Sequence, residues 1–417
     1  MILQISTWIA GIILAVVWFS RILEAAIGMP RVADVARPEW DRKPPTPDGE
    51  PRISIIVPAR NEEHDIRATL EHVLALDYSN YEVIAVDDRS TDGTGKEMDD
   101  VVSSYEKLCG GDIPGRVPAA IQSQSRQATS SGPRLQVLHI TDLPAGWMGK
   151  THAMWTAGKR ATGDWLLFTD ADVLFKPDSV RRVVAYAEAE QADHVVLFPR
   201  MLMEHAGERM MIAFFQTMFV FGHRPWKVAD PRARDHMGVG AFNMVRRRVY
   251  NAIGTYEALR MEVVDDMKLG KLIKNAGYAQ RNVFGDDLTS LRWVRGTFGM
   301  IDNLTKNFYA LLSFQWPRTV ASIFALGFLN LGPFIGVFLA HGWARAPYAI
   351  ALASLLAIYY GMSRMSDVRT PYFFLHPVST CLVMYAVARS MVLTIRQGGI
   401  VWRGTKYPID ELRRGMV

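Results

Sequence analysis

In the stretch LLFTDADVLF, Leu166 to Phe175, two carboxylates interrupt an otherwise apolar run. Read as a strand, the run sets Asp170 and Asp172 on one face, because side chains two apart point the same way. Two ionised carboxylates that close repel unless a positive charge lies between them. A hard divalent cation, Mg2+ or Mn2+, meets that need: it takes carboxylate oxygens and shares its remaining positions with water and substrate phosphates. An Asp-X-Asp pair arises often by chance, and lone aspartates commonly cap turns, so the pair counts only in company. That company exists. VIAVDDRSTDGT carries Asp87 and Asp88, and EVVDDMKLG carries Asp265 and Asp266. GWMGKTHA sets Gly149 and Lys150 ahead of a helical stretch, a natural phosphate cradle. The GxxxxGK[ST] spacing of a P-loop is missing.

The elements that must position these groups alternate. RISIIVPARNE opens as a β-branched strand cut by Pro58, EHDIRATLEHVLAL has helical apolar spacing, and YEVIAVDD is a second strand ending in acids. Strands alternating with helices predict an α/β fold with a mostly parallel, Rossmann-like sheet. Ligands of such sheets bind beyond the carboxyl ends of the strands, where Pro58 to Glu63, Asp87 to Asp92 and Asp170 to Asp172 all fall. Residues 110–132, rich in Gly, Pro, Ser and Gln, are expected to form a mobile surface insertion.

The 417 residues carry a net charge of +5, too mild to indicate nucleic acid, and no nucleic-acid partner is expected. Cys109 and Cys381 fit neither a disulfide framework nor a zinc site. Apolar residues concentrate at the two ends. Ile2 to Ser20 contains no charge and approaches the ~20 residues a bilayer-spanning helix needs; its arginines follow rather than precede it, so it reads as an uncleaved anchor. Thr319 to Ala340, Pro347 to Met362 and Tyr372 to Ile395 are further spanning candidates.

The domain plan is therefore an anchor at 1–22, a linker at 23–51, a catalytic domain at 52–294, an amphipathic interfacial segment at 295–317, a transmembrane bundle at 318–395 and a basic tail at 396–417. Arg21, Arg31, Arg37, Arg42 and Lys43 place the catalytic domain on the cytoplasmic side of an inner membrane. Arg396, Arg403, Lys406, Arg413 and Arg414 ask for the same side, which three C-terminal crossings would deny. Either two of the three stretches cross, or the tail's charges are overruled.

ISIIVPARNEE, VIAVDDRSTDGT, GWMGKTHA, LLFTDADVLF, GVGAFNMVRR and VVDDMKLG stand in the order found in family 2 glycosyltransferases of the GT-A fold, and the resemblance covers Arg52 to Lys306. With an anchor before and an apolar bundle after, the chain resembles the membrane-bound, lipid-modifying branch. That branch holds ceramide glucosyltransferases and bacterial hopanoid- and carotenoid-associated enzymes, and the tail VWRGTKYPIDELR is similar to the ending of the carotenoid-type members. The resemblance implies a GT-A catalytic domain with one N-terminal and two to three C-terminal transmembrane helices, a nucleotide-sugar donor with UDP the family default, and a lipid acceptor. It puts Pro58, Ala59, Glu62, Asp87 and Asp88 in the nucleotide pocket and Lys150 at the diphosphate. Asp170 and Asp172 become the metal motif, with Asp172 the direct ligand; Gly238, Gly240 and Asn243 the floor where sugar and acceptor meet; and Asp266, beside Asp265, the general base.

That casting agrees with the chemistry of an inverting transfer. A single displacement at the anomeric carbon needs no protein nucleophile, but it needs a Lewis acid on the leaving diphosphate and a carboxylate to take the acceptor's proton. For Asp265 and Asp266 the alternative is helix N-capping, one of the pair capping while the other does chemistry. Arg292 and Arg295 either reach the diphosphate or meet lipid headgroups. The Q-x-x-R-W motif of processive polymer synthases is reduced to TSLRW, without its glutamine, which favours adding one sugar over spinning a polymer. A silent scaffold on the same fold would tolerate loss of the acids. His152 and His236 read as structural, and MMIAFFQTMFVF, Met210 to Phe221, as packing.

Overall fold

The computed structural model describes residues 2–109, 134–293 and 295–416. The insertion expected at 110–132 lies outside them. Contacts divide the chain into two compact units, one of Met1–Val32, Met201–Lys227 and Trp293–Arg413, the other of Ala33–Arg200, Val228–Arg292 and Arg414–Val417.

The second unit carries the sheet. Its strands are β1 (Ala33–Asp34), β2 (Ile53–Ala59), β3 (Tyr81–Asp88), β4 (Arg134–Ile140), β5 (Trp165–Phe168), β6 (Val173–Phe175), β7 (His194–Leu197), a two-residue β8 (Arg200–Met201), β9 (Asn243–Arg246), β10 (Gln280–Phe284) and β11 (Thr289–Leu291). Eight of them form one sheet in the order β1-β10-β7-β9-β5-β2-β3-β4. All neighbours are parallel except β9, which runs antiparallel to both β5 and β7. This is the α/β fold with a mostly parallel sheet that the alternation of strands and helices predicted. β2, β3, β5 and β7 are apolar and buried almost throughout, as strands covered on both faces must be.

The helix Gly149–Arg160 lies on β2 and β3, sending Ala153, Met154 and Ala157 into a core with Ile56, Ile84, Val86, Leu166 and Phe168. Gly158 lets that helix approach Tyr250: a Cβ there would stand 2.8 Å from the phenol oxygen. The sequence placed Ala33 and Asp34 in a linker, yet they pair with Val283 and Phe284 as the sheet's edge strand.

Among the described residues, the first unit holds four helical segments long and apolar enough to cross a membrane: Gln4–Arg31, Trp316–Leu339, Gly342–Ser363 and Thr370–Gln397. One is N-terminal and three are C-terminal. Ile9, Val16, Phe324, Phe338 and Tyr385 point outward from them, as lipid-facing side chains do. His376 and Arg389, inside the last segment, are both partnered. His376 Nδ1 lies 2.9 Å from the Tyr359 hydroxyl and its Nε2 3.0 Å from Asn330 Oδ1. Arg389 donates to Thr305 Oγ1 at 2.6 Å and pairs with Asp302 at 3.1 Å. Paired in this way, neither residue prevents the segment from spanning.

The helix Gly299–Leu311, within the segment read as interfacial, is tied to His376–Gln397 by that arginine and by Ser390, which accepts from Tyr309 N–H at 3.0 Å. Ala206–Gly222, assigned from sequence to the catalytic domain, packs in the apolar unit, where Met210, Met211, Ile212 and Phe214 are buried. An almost uncharged helix has nowhere to turn a polar face, so it joins the apolar helices.

Candidate active site

Three loops leave the carboxyl edge of the sheet side by side. Past β2, Asn61 takes a left-handed backbone (φ 54°), and past β3 Arg89 does the same (φ 54°). Non-glycine residues seldom adopt that conformation, and where they do the surroundings must hold them. Here the two loops hold each other. Asn61 N–H donates to Ser90 Oγ at 3.0 Å, Thr91 N–H to Asn61 Oδ1 at 2.8 Å, and Glu62 N–H to Thr94 Oγ1 at 2.7 Å. ARNEE and RSTDGT, distant in sequence, are one stitched ledge beside Pro58 and Ala59, which pair with Val86 and Asp87.

Asp88 is buried on this ledge and already compensated. Arg89 Nε donates to it at 2.8 Å and Arg89 Nη2 at 3.2 Å, while Arg60 stands 3.7 Å away. Its Oδ2 also abuts the first turn of the Gly149 helix, where a Cβ on Gly149 would come within 2.1 Å of it. An acid there is favoured by the helix N-terminus, so the position expected to cradle phosphate already holds a carboxylate of the chain itself. Asp87 Oδ1 accepts from Ser90 N–H at 3.1 Å, and its Oδ2 lies 3.2 Å from His139, which reaches Asp99 at 3.1 Å on the other ring nitrogen. Burial opposes the charged imidazole, but Asp87 and Asp99 outweigh it and raise the His139 pKa. Arg60, Arg89 and His139 were not singled out from sequence. Arg89 stood beside Asp88, and its adjacency was the available signal; His139 had none.

The Asp170–Asp172 expectation needs correction. β5 ends at Phe168 and the chain turns through 169–172 before β6, which pairs with β11 rather than extending the main sheet. The two acids therefore do not share a strand face, and alternation says nothing about them. What approaches Asp170 is Lys150, whose ammonium donates to Oδ1 at 2.6 Å and lies 3.9 Å from Asp265 Oδ1. Burial alone would lower the Lys150 pKa, but Asp170, Asp265 and Asp266 overcome that and hold it above its ordinary value. Asp172 has no such partner: among the described residues no ion pair to it is found. Burial, reinforced by Asp170 and Glu62, drives its pKa up.

Asp265 opens the helix Asp265–Asn275, and no side chain caps that helix. Neither acid of the pair is thus a conventional N-cap. Asp266 Oδ1 accepts from Met267 N–H at 2.7 Å and Oδ2 from Gly240 N–H at 3.0 Å. Burial and the neighbouring Asp265 raise its pKa well above the carboxylate range. The glycines of GVGAFN make this closeness possible. A Cβ on Gly238 would overlap the Asp266 carbonyl oxygen at 1.8 Å, and one on Gly240 would meet Asp170 Oδ2 at 2.4 Å. Gly240 therefore touches both acidic clusters, binding one by its amide and abutting the other. Gly240→Ala is expected to slow turnover by about tenfold or more, because displacing reactive groups by ~1 Å costs about 10²-fold. A thermal melt resembling wild type beside a reduced kcat would bear this out.

The residues present suit a hard dication shared with a substrate. No group of three His, Cys, Asp or Glu able to hold a metal occurs among the described residues, so an all-protein cage is not on offer. Asp172, half-buried and without an ion pair among the described residues, and Asp170 beside it give two oxygen donors, the number magnesium commonly takes from protein when phosphates supply the rest. His152 lies against Trp147 and Trp155, with ring centroids 5.4 and 6.0 Å away, and Asp88 acts on it electrostatically; burial lowers its pKa. Arg292 follows β11 in the sheet unit, while Arg295 belongs to the apolar unit.

Set beside known proteins, residues 54–110 match the family model for glycosyl transferase family 2, and residues 133–284 that for glycosyl transferase family 21. Those two segments are glycosyltransferase sequence. The glycosyltransferase domain is 22% identical over 265 residues to a 4,4'-diaponeurosporenoate glycosyltransferase of Staphylococcus haemolyticus, covering 61% of this chain and 60% of that one. It is 33% identical over 121 residues to a beta-monoglucosyldiacylglycerol synthase of Nostoc, covering 28% and 22%. The matches thus span less than two thirds of these relatives' lengths. Among solved structures, a mannosyltransferase from Pyrobaculum calidifontis in complex with GDP-Man and Mn2+ aligns over 93% of this chain and 99% of that one, with 20% identity and a TM-score of 0.48.

Proposed function

We propose that this glycosyltransferase moves a single sugar, with inversion, from a nucleoside-diphosphate sugar, UDP being the favoured carrier, to a lipid acceptor in the membrane. The catalytic domain would face the cytoplasm. The observation that carries the proposal is the gathering of Lys150, Asp170, Asp265 and Asp266 within one cluster at the carboxyl edge of the sheet. In this reading the ledge formed by Pro58, Ala59, Glu62, Asp87 and Asp88 receives the nucleotide. Asp172 and Asp170 would hold Mn2+ or Mg2+, which when bound neutralises the departing diphosphate as a Lewis acid. Lys150 adds a mobile positive charge on the same leaving group. Asp266, fixed by two backbone amides, takes the proton of the acceptor hydroxyl. Asp265 keeps Lys150 in reach and raises the basicity of its neighbour.

Two features support the lipid acceptor: four helices able to cross a membrane in the same chain, and relatives named for a carotenoid acid and for a diacylglycerol. The test is incubation of the full chain in detergent with labelled UDP-sugars and total membrane lipid. Label should enter the organic phase only when a divalent cation is present, as a product one sugar larger. Label accumulating in long aqueous polymer would replace this reading with a processive synthase. No incorporation with or without Mn2+ would end it.

A further inference from the structure

We propose that Lys150 and the divalent cation compete for Asp170, so that the free chain takes the cation weakly and the donor's diphosphate, by drawing Lys150 to itself, lets cation and nucleotide bind together. This rests on the metal- and nucleotide-dependent reading above and goes beyond it, since it assigns Lys150 a regulatory part in metal binding.

One oxygen of Asp170 is held by an ammonium of the chain and the other is crowded by backbone. Oδ1 accepts from Lys150 Nζ at 2.6 Å. Oδ2 faces the Gly240 backbone so closely that a methyl group there would come within 2.4 Å. A cation approaching the two acids therefore finds Asp172 available and Asp170 spoken for. No third acid, histidine or cysteine completes a ligand set among the described residues. Two like positive charges cannot share one carboxylate oxygen cheaply at a half-buried site.

Lys150 has somewhere to go. Its ammonium sits on a flexible four-carbon stem and acts as a point charge, indifferent to direction. It is already divided between two acids, Asp170 at 2.6 Å and Asp265 at 3.9 Å. A diphosphate offers it more negative charge than either, and the same diphosphate supplies the oxygens a two-carboxylate metal site lacks. One ligand thus removes the competitor and completes the site, and binding of the two must be coupled equally in both directions.

The test counts bound Mn2+ from the electron paramagnetic resonance signal of the free ion, on the full chain in detergent, without any turnover. Without nucleotide, Lys150→Gln should bind Mn2+ about tenfold or more tightly than wild type. That is the least effect of one opposite charge at this range, which moves a carboxylate's affinity for protons by at least ~1 unit. Lys150→Arg keeps the charge and should remain near wild type. Adding UDP should tighten Mn2+ binding strongly in wild type and little in Lys150→Gln. The exchange is overturned if Lys150→Gln binds Mn2+ alone no better than wild type while UDP still promotes Mn2+ binding by wild type. Were Lys150→Gln not to fold, wild type alone decides, because independent binding of Mn2+ and UDP also overturns it. If no Mn2+ binds even with UDP, the metal-dependent reading itself fails and the exchange falls with it.

Discussion

Asp172→Asn should abolish transfer and make the protein more heat-stable. The two halves of this result come from one cause. The Asp172 carboxylate is half-buried, is pushed up to about 7 first by burial and then by Asp170 and Glu62, and among the described residues no ion pair to it is found. Keeping it ionised at neutral pH costs the folded state free energy, and the neutral amide removes that cost. The sign follows from linkage. An acid whose pKa rises on folding leaves the folded state with more bound protons between the unfolded and folded values, so stability falls as pH climbs through that window. Relative to wild type, Asn should then give no gain near pH 4, a gain that grows towards pH 7, and a constant gain above.

Allowing for water reaching a partly open site, about 1–3 kcal/mol is a reasonable size. Thermal melts in a chelating buffer at several pH values measure it. Activity, measured with saturating Mn2+ and donor, should fall by about 10³-fold or more, as befits a lost ligand on the leaving group worth several kcal/mol of transition-state stabilisation. A residue whose loss stabilises the fold while removing the reaction is held in place by function. A variant that melted lower than wild type at pH 7 would show that Asp172 is a structural acid.

The same site shows what a sequence can and cannot disclose. The α/β alternation was legible because β2, β3 and β5 are short apolar runs and the helix after β2 has its own period, and the acids stood where such runs end. The relation between the acids was not legible. Strand alternation was applied to LLFTDADVLF as though it were continuous, but β5 stops at Phe168, opposite Asn243, and the aspartates follow in a turn. No local rule marks where a partner strand runs out.

Lys150 could be read as a phosphate ligand from its place before a helix. Its actual neighbours, Asp170 and Asp265, are brought to it by a loop and a second helix far along the chain. The glycines of GVGAFN carried a hint of close approach, though not of what approached. Gly238 clears the backbone of the Asp265 helix and Gly240 clears Asp170, a double role that only the assembled loops display. Ala206–Gly222 was misassigned for a related reason: apolar content tells that a helix is buried, not by which unit.

Asp266→Asn should reduce the rate by about 10²- to 10⁴-fold, the usual worth of a positioned general base, and leave donor and Mn2+ binding near wild type. The geometry separates this residue from its neighbour. Asp266 is held by two backbone amides, from Gly240 and Met267, and no ion pair to it is found among the described residues. Asp265 lies 3.9 Å from the Lys150 ammonium. A base has to be oriented yet not neutralised, and Asp266 meets both conditions. Because burial and Asp265 raise its pKa well above the carboxylate range, the rate should collapse on acidification at a pH higher than the ~4 of an ordinary aspartate.

Asp265→Asn acts in the opposite sense on that limb. With the adjacent charge gone the Asp266 carboxyl is easier to ionise, so the acid limb of kcat moves to lower pH while the plateau rate drops because the proton acceptor is weaker. Comparing the pH profiles of kcat for wild type and Asp265→Asn isolates this coupling, which a purely structural role for the pair would not produce. Should Asp266→Asn retain near-normal kcat while Asp265→Asn loses it, the roles of the two aspartates are exchanged, with Lys150 then pairing directly to the base.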